Sequence, residues 1–441
     1  MGATAPIVEG PIEGAQPPWG LPKVDLDALG YVAEEFQLVG RAGGYQIAEG
    51  TEAINDGHWE VEQYGEAGYR TRFVVIRPKH AEDFNGTVVV GWNNVSAGYE
   101  MPGVLGDEIF EGYAWVGASV QEVGIHGFPM GMEKFASRRA GPLVDQDPER
   151  YGDLSHPGDQ ASFDIFSDVG RVVGPDRSTE IDPLRGLEVN HLIASGGSQS
   201  AMRLSTYLNA FQINAGIFDG FILYVWEARG PLPEEGVMPY GRMTTIRDDL
   251  DVPVIIVNSE FEATHLHRIA LVDTEQLRTW EVAGTPHGVT KHVNMPPDDR
   301  GRVANQLTYQ PVLNGALRAL QRWLVEGVPA ARQERIAFEE EGFHQITLDA
   351  MGNAVGGVRL PEMEAPLAKY QGAAFGSGHG ALFGAALPFT DEQVRERYGN
   401  RAAYLKAWNA AVDRLVAGEV IREVDADAMR ERGAALELPL D

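Results

Sequence analysis

A series of short apolar runs, separated by helical or irregular segments, constrains this chain more than any other feature. "YAWVGASVQ" (113 to 121), "VNHLIAS" (189 to 195), "FDGFILYVW" (218 to 226), "VPVIIVNSE" (252 to 260) and "LRTWEVAG" (277 to 284) are short and mostly apolar. Strands covered on both faces of a parallel sheet read this way. Two earlier strands are expected at "YRTRFVVIRPKH" (69 to 80), which alternates apolar and polar residues, and at "GTVVVGWNNVS" (86 to 96). The turn marked by Asn85 and Gly86 predicts that these two pair with each other. Helices are expected at "SQSAMRLSTYLNAF" (198 to 211) and "QPVLNGALRALQRWLVEG" (310 to 327), where Val312, Leu317, Leu320 and Leu324 fall near helical spacing. Strands alternating with helices predict an α/β class with a mostly parallel central sheet flanked by helices.

The sheet-forming region is framed by segments of other character. Residues 1 to 40 are rich in Pro and Gly and read as an N-terminal extension; 41 to 330 read as the core, with lid-like inserts at 122 to 160 and 227 to 251. Residues 331 to 441 read as a C-terminal extension packed on the core. It has a strand-rich piece with a turn at "MGN", then "TDEQVRERYGNRAAYLKAWNAAVDRLVAGE", where Thr390 and Gln393 have capping-box spacing and an amphipathic helix continues. There are no solenoid repeats and no heptad array.

Composition narrows the function classes. Of 441 residues 44% are hydrophobic and 23% charged, so a sizeable core is expected. A formal charge of −28 argues against nucleic acid or an anionic membrane as partner, since phosphate contacts need clustered Lys and Arg. The expected partner is a small, uncharged molecule. The absence of cysteine excludes disulfides, thiolate metal sites and cysteine nucleophiles. The N-terminus has no basic segment followed by an apolar one, so no signal peptide is expected, and no apolar run approaches the roughly 20 residues of a membrane span. A soluble protein is expected. There is no His-Glu-x-x-His, no dinucleotide glycine motif after the first strand and no P-loop lysine, so neither metal nor cofactor is expected. "GSGHG" (376 to 380) and "HPGD" (156 to 159) read as structural turns.

One turn stands apart. "ASGGSQSA" (194 to 201) follows a buried strand and begins a helix, where open α/β sheets place ligand-binding groups. Gly196 and Ser200 lie two residues either side of Ser198 and must both be small, which gives the Gly-x-Ser-x-Gly form of a nucleophile elbow with Ser200 in place of the last glycine. A serine hydroxyl needs a base and a group to orient that base. Glu260 and Glu262 lie at or just past the end of the strand at 252 to 260, and His287 lies just past the next strand. The order serine, carboxylate, histidine is that of the α/β-hydrolase fold. Glu262 is preferred as the acid, Glu260 being the second candidate with a structural role as the alternative; His265 and His267 lie too close to the acid's own loop to be preferred as the base and are read as pocket or surface residues. An oxyanion hole is expected from the backbone N–H groups of Gln199 and of Asn94, with Val95 the next candidate, unless Asn93 and Asn94 only cap a turn. Trp92, Tyr99 and Phe261 are candidates to line an apolar pocket, with ordinary core packing as the alternative.

These strings, with "GYVAEEFQLVGRAGGY" (30 to 45), "VVVGWNNVS" (88 to 96), "VGASVQEVGIHG" (116 to 127), "DPERYGDLSHPGDQASFDIFSDVGRVV" (147 to 173), "LIASGGSQSAMRLSTYLNA" (192 to 210), "WEVAGTPH" (280 to 287) and "GNAVGGVRLPEMEAPLA" (352 to 368), make the chain resemble the bacterial "alpha/beta hydrolase domain" family. The resemblance implies an α/β-hydrolase core and serine hydrolase chemistry on a carboxylic ester, with Ser198, Glu262 and His287 at the matching positions. The family's usual "SETD" is here "SEFE", so the acid is Glu rather than Asp. Acyl transfer or lyase chemistry on the same scaffold, or a catalytically silent binding protein, are the alternatives to an esterase.

Overall fold

The computed structural model describes every residue except 1–4, 15, 104, 133–135, 138, 237–240, 289–296, 341–344, 374–381 and 441. The chain forms two compact units, Met1–Val254 and Ile255–Asp441.

The first unit is built on a sheet. Its strands are β1 (Ile7–Glu9), β2 (Tyr31–Ile47), β3 (Val61–Pro78), β4 (Thr87–Trp92), β5 (Ala114–Ala118), β6 (His191–Gly197) and β7 (Gly220–Tyr224), in the spatial order β1-β2-β3-β5-β4-β6-β7. β5, β4, β6 and β7 run parallel, while β1, β2 and β3 add an antiparallel margin. The expected α/β class is therefore present. β1 and the start of β2 fall within residues 1 to 40, and β2 forms a 17-residue ladder with β3.

The expected pairing of residues 69 to 80 with 86 to 96 is corrected: β3 pairs with β2 and β5, and β4 lies between β5 and β6. All six residues of β4 are buried, so an interior place in the parallel sheet covers both of its faces. The Asn85–Gly86 turn bonds elsewhere, Asn85 N–H to Gly112 and His191 N–H to Gly86.

Short helices α1 (Glu122–His126), α2 (Leu143–Gln146) and α3 (Pro148–Tyr151) occupy the first insert, ahead of α4 (Ser162–Val173). α5 (Gln199–Tyr207) runs into one π-helical turn, Leu208–Gln212, and then α6 (Ile213–Ala215). An aromatic cluster seats α4 and α5 against the sheet. Phe163 stacks on Phe211 at 4.6 Å, and Phe166 lies 4.8 Å from Trp92 and 4.9 Å from Phe218. Trp92 is thus a core residue. The second insert contains the two-residue strands β8 (Arg229–Gly230) and β9 (Arg242–Met243), which pair antiparallel.

The second unit begins within β10 (Val254–Ser259), whose neighbour is β11 (Leu277–Val282), and between them runs α7 (Glu260–Arg268). β12 (Val303–Ala304), β13 (Ala368–Gln371) and β14 (Ala385–Pro388) form a small antiparallel sheet. α8 (Gln310–Glu326) falls where the apolar spacing predicts it, with Val312, Leu317 and Leu320 buried and Leu324 half-buried. α9 (Pro361–Glu364) follows isolated bridges that pair Ile336 with Gly356, Phe338 with Ile346 and Leu348 with Ala354, the last across the turn at Gly352.

α10 (Asp391–Tyr398) opens on the expected capping box, with Thr390 and Gln393 bonded reciprocally. The helix does not then continue unbroken: Gly399 at φ 69° ends it, and the Asn400 side chain accepts from Ala403 N–H to start α11 (Arg401–Ala417), which α12 (Glu423–Ala435) follows. Among the described residues, no helix is long and apolar enough to cross a membrane. The turn expected at "GSGHG" lies outside the described residues.

Candidate active site

In the first unit, the chain leaves β6 and enters α5 through Ser198 alone. Ser198 stands at φ 56°, ψ −120°, a left-handed conformation that a side chain disfavours, and its N–H is held by Tyr224 O at 3.0 Å. Two glycines permit so sharp a turn. A Cβ on Gly196 would meet Ser200 O at 2.9 Å, and one on Gly197 would meet the Tyr224 ring at 2.1 Å. Ser200, where the elbow pattern has glycine, is buried and tied in: its Oγ accepts from Gly197 N–H at 3.0 Å and donates to Gly197 O at 2.8 Å. The hydroxyl replaces hydrogen-bonding capacity that the turn would otherwise leave unmet.

Gln199 is the first residue of α5, so its backbone N–H has no acceptor within the helix and lies at the positive end of the helix dipole. The β4 loop approaches from the other side. Asn94 Nδ2 donates to Gly197 O at 3.1 Å, while the Asn94 backbone N–H is engaged with Met101 O at 3.0 Å in an antiparallel bridge. The expectation that Asn94 offers its backbone N–H is therefore corrected: the loop's turn back to Met101 takes up that donor. Val95 N–H instead faces the elbow, 3.4 Å from Gln199 Oε1.

In the second unit, Ser259 caps α7 and Glu262 completes the capping box. Glu262 is fully buried; its Oε2 accepts from Ser259 Oγ at 2.5 Å and Ser259 N–H at 3.2 Å, and its Oε1 lies 2.5 Å from His287 Nδ1. A carboxylate only accepts, so this pairing puts the proton on Nδ1 and leaves Nε2 as the basic nitrogen. The Phe261 ring meets the His287 ring edge-on at 5.7 Å.

Glu260 has a different task. Its oxygens accept from Gly284 N–H at 2.7 Å and Gly372 N–H at 2.8 Å, joining two loops, and burial pushes its carboxyl above the usual range. His267 stacks on Phe338 at 4.0 Å, and the His265 ring lies 5.9 Å from Phe261. Tyr99 meets Trp19 edge-on at 6.3 Å. His58, Asp248 and Asp249 gather three potential metal-ligating atoms, but all are exposed and Asp249 is paired with Arg247.

The family model for the alpha/beta hydrolase domain matches residues 8–431, nearly the whole chain. The chain belongs to the alpha/beta hydrolase domain family. Among curated proteins no relative matches it. Among solved structures it is similar to a fungal esterase from Rhizomucor miehei (10% identity, TM-score 0.32, covering 71% of this chain and 94% of that one). It is also similar to Est1E from Butyrivibrio proteoclasticus (10% identity, TM-score 0.31, covering 65% and 99%).

In this alpha/beta hydrolase, the structure brings Glu262 to His287, and it brings Asn94, Val95 and Gln199 around the turn that carries Ser198. Sequence reasoning passed over one residue near that turn. Asp159, in the "HPGD" turn, is buried, accepts from Gln121 Nε2 at 3.0 Å and Glu122 N–H at 2.8 Å, and pairs with Arg203 at 3.1 Å. The turn is a structural one, as expected, with Gly158 N–H donating to His156 Nδ1 at 3.2 Å. An acidic residue opening the turn that leads from Pro157 and Gly158 into α4 was the available signal; no motif spacing marks a network drawn from three separate segments.

Proposed function

We propose that this chain is a serine hydrolase that cleaves a carboxylic ester through an acyl-enzyme on Ser198, with His287 as base and Glu262 as the acid that orients it. One observation carries the reading above the others: Ser198 is held at φ 56° between a buried strand and a helix. Such a conformation costs about 1–3 kcal/mol and persists where the surrounding structure has a use for it. The Glu262–His287 pair supports the same reading, because a histidine with Nδ1 held by a buried carboxylate has the tautomer that a general base requires. The absence of cysteine rules out a thiol nucleophile, and the charge of −28 favours an uncharged ester.

His287 Nε2 takes the Ser198 proton as Oγ attacks the ester carbonyl, and Glu262 stabilises the imidazolium that forms. The Gln199 backbone N–H, at the start of α5, and the Val95 N–H receive the oxyanion. As the tetrahedral intermediate collapses, the alcohol leaves with the proton from His287. Water, deprotonated by His287, then attacks the acyl-enzyme; Ser198 regains its proton and the carboxylic acid departs.

Ser198→Ala tests the assignment on a simple ester such as nitrophenyl acetate. The expected outcome is a fall in kcat of at least about 10³-fold in a protein of unchanged melting temperature. Full activity in the variant would refute the nucleophile.

A further inference from the structure

We propose that Asp159 is a positioning residue which fixes, through two side-chain amides in series, the direction of the Val95 backbone N–H. The proposal rests on the oxyanion role given to Val95 above. Its physical basis lies in what each end of the series can do.

A carboxylate accepts and never donates, so Gln121 must turn its NH2 group toward Asp159, where Nε2 lies 3.0 Å from Oδ2. The Gln121 carbonyl then points the other way. It accepts from Gln199 Nε2 at 2.9 Å and from the Trp92 indole N–H, a donor only, also at 2.9 Å. With its NH2 held there, Gln199 presents Oε1 to Val95 N–H at 3.4 Å. Both ends of the series, an obligate acceptor and an obligate backbone donor, demand the same orientation of both amides. Asp159, Gln121, Gln199, Trp92 and Val95 are all buried.

Asp159 is itself fixed. Its Oδ1 takes Glu122 N–H at 2.8 Å, and Arg203, one turn along α5 from Gln199, pairs with Oδ2 and donates to Gly236 O at 2.6 Å. The loop is also tied to the turn by Asn94 Nδ2 on Gly197 O. At 3.4 Å the Val95 bond is at the weak end of the range, and a developing negative charge displaces it readily. Gln199 Oε1 thus holds the donor in place between turnovers without binding it tightly.

Asp159→Asn is nearly isosteric, but its single carbonyl cannot accept from Glu122 N–H on one side and from Gln121 and Arg203 on the other, so no one orientation of the amide holds Gln121 as the carboxylate does. Turnover of the nitrophenyl ester is expected to fall about 10- to 100-fold, less than the roughly 10²–10³-fold for loss of a donor, with KM within about 2-fold. Hydrogen exchange of the Val95 amide is expected to accelerate. The double variant D159N/Q121E supplies the informative control. A carboxylate introduced at position 121 accepts from the amide introduced at position 159, from Gln199 and from Trp92. The orientation of Gln199 and the total charge are thereby restored, the amide oxygen at position 159 accepts from Glu122 N–H, Arg203 keeps Glu235 O and Gly236 O as acceptors, and both turnover and exchange are expected to recover.

A folded Asp159→Asn protein with wild-type turnover would overturn the proposal. So would unchanged exchange at Val95, or a double variant that recovers neither property. Exchange decides the series independently of activity, so a wild-type protein inert toward the ester would count against the serine-hydrolase reading and leave the series to be judged by Val95 alone.

Discussion

Two glutamates two residues apart in "SEFE" have opposite assignments, and their surroundings account for the difference. Glu262 completes a capping box with Ser259 and reaches His287; Glu260 joins the backbones of Gly284 and Gly372. Glu262→Gln places an NH2 group within the Ser259 and His287 contacts, so the imidazole loses the partner that sets its tautomer. The expected result is a fall in kcat of about 10²–10⁴-fold with little change in melting temperature. Glu260→Gln leaves one of two buried glycine N–H groups facing a donor. Its expected effect is on stability, a loss of about 1–3 kcal/mol in denaturant unfolding. A reversal of these two phenotypes would exchange the assignments. That Ser198, Glu262 and His287 each follow a strand was legible in the sequence. The choice between the two glutamates was not settled by strand spacing; the capping box, also written in "SEFE", is the physical reason that Glu262 takes the inward position.

At the level of elements, apolar runs gave β4, β5, β6, β7, β10 and β11 to within a few residues, and α8 fell where its apolar spacing put it. Pairing was less legible than existence. β3 and β4 are separated by only eight residues, yet β4 is buried along its whole length and lies between β5 and β6. The break between α10 and α11 was marked by Gly399 and Asn400, a stop and a start, but helical periodicity on both sides masked it. Ser200 illustrates a departure from a pattern that has its own physical reason. Its hydroxyl accepts from Gly197 N–H and joins Asn94 Nδ2 in donating to Gly197 O, so Ser200→Ala is expected to leave a buried N–H unmet. The predicted cost is about 1–3 kcal/mol in chemical denaturation; a change below a few tenths would show that the bonds contribute nothing net.

For the molecule as a whole, buried polar networks in the first unit couple segments far apart in sequence, and one buried histidine among them adds a pH-dependent contribution to stability. His156 is held neutral: its Nδ1 accepts from Gly158 N–H and its Nε2 donates to Val120 O at 3.0 Å, and burial lowers its affinity for a proton. Below about pH 6.5 the unfolded chain protonates this histidine while the folded chain resists. The unfolded state then binds more protons, so stability falls as pH drops through that window and is constant above it. Melting temperatures measured from about pH 7.5 to about pH 5 are expected to decline, and His156→Gln to flatten the decline; an equal slope in both proteins would remove His156 as the cause. Such networks were the least legible part of the sequence. Asp159, Gln121 and Arg203 lie in three separate segments, and only folding brings them together.

The claim on which the functional account depends is that Ser198 is an activated nucleophile. A fluorophosphonate reacted with the folded protein, followed by peptide mapping of the adduct, tests it most directly. One adduct per chain is expected, located on Ser198 and abolished by His287→Ala. A protein that remains unlabelled, or carries its adduct on another residue, would contradict it.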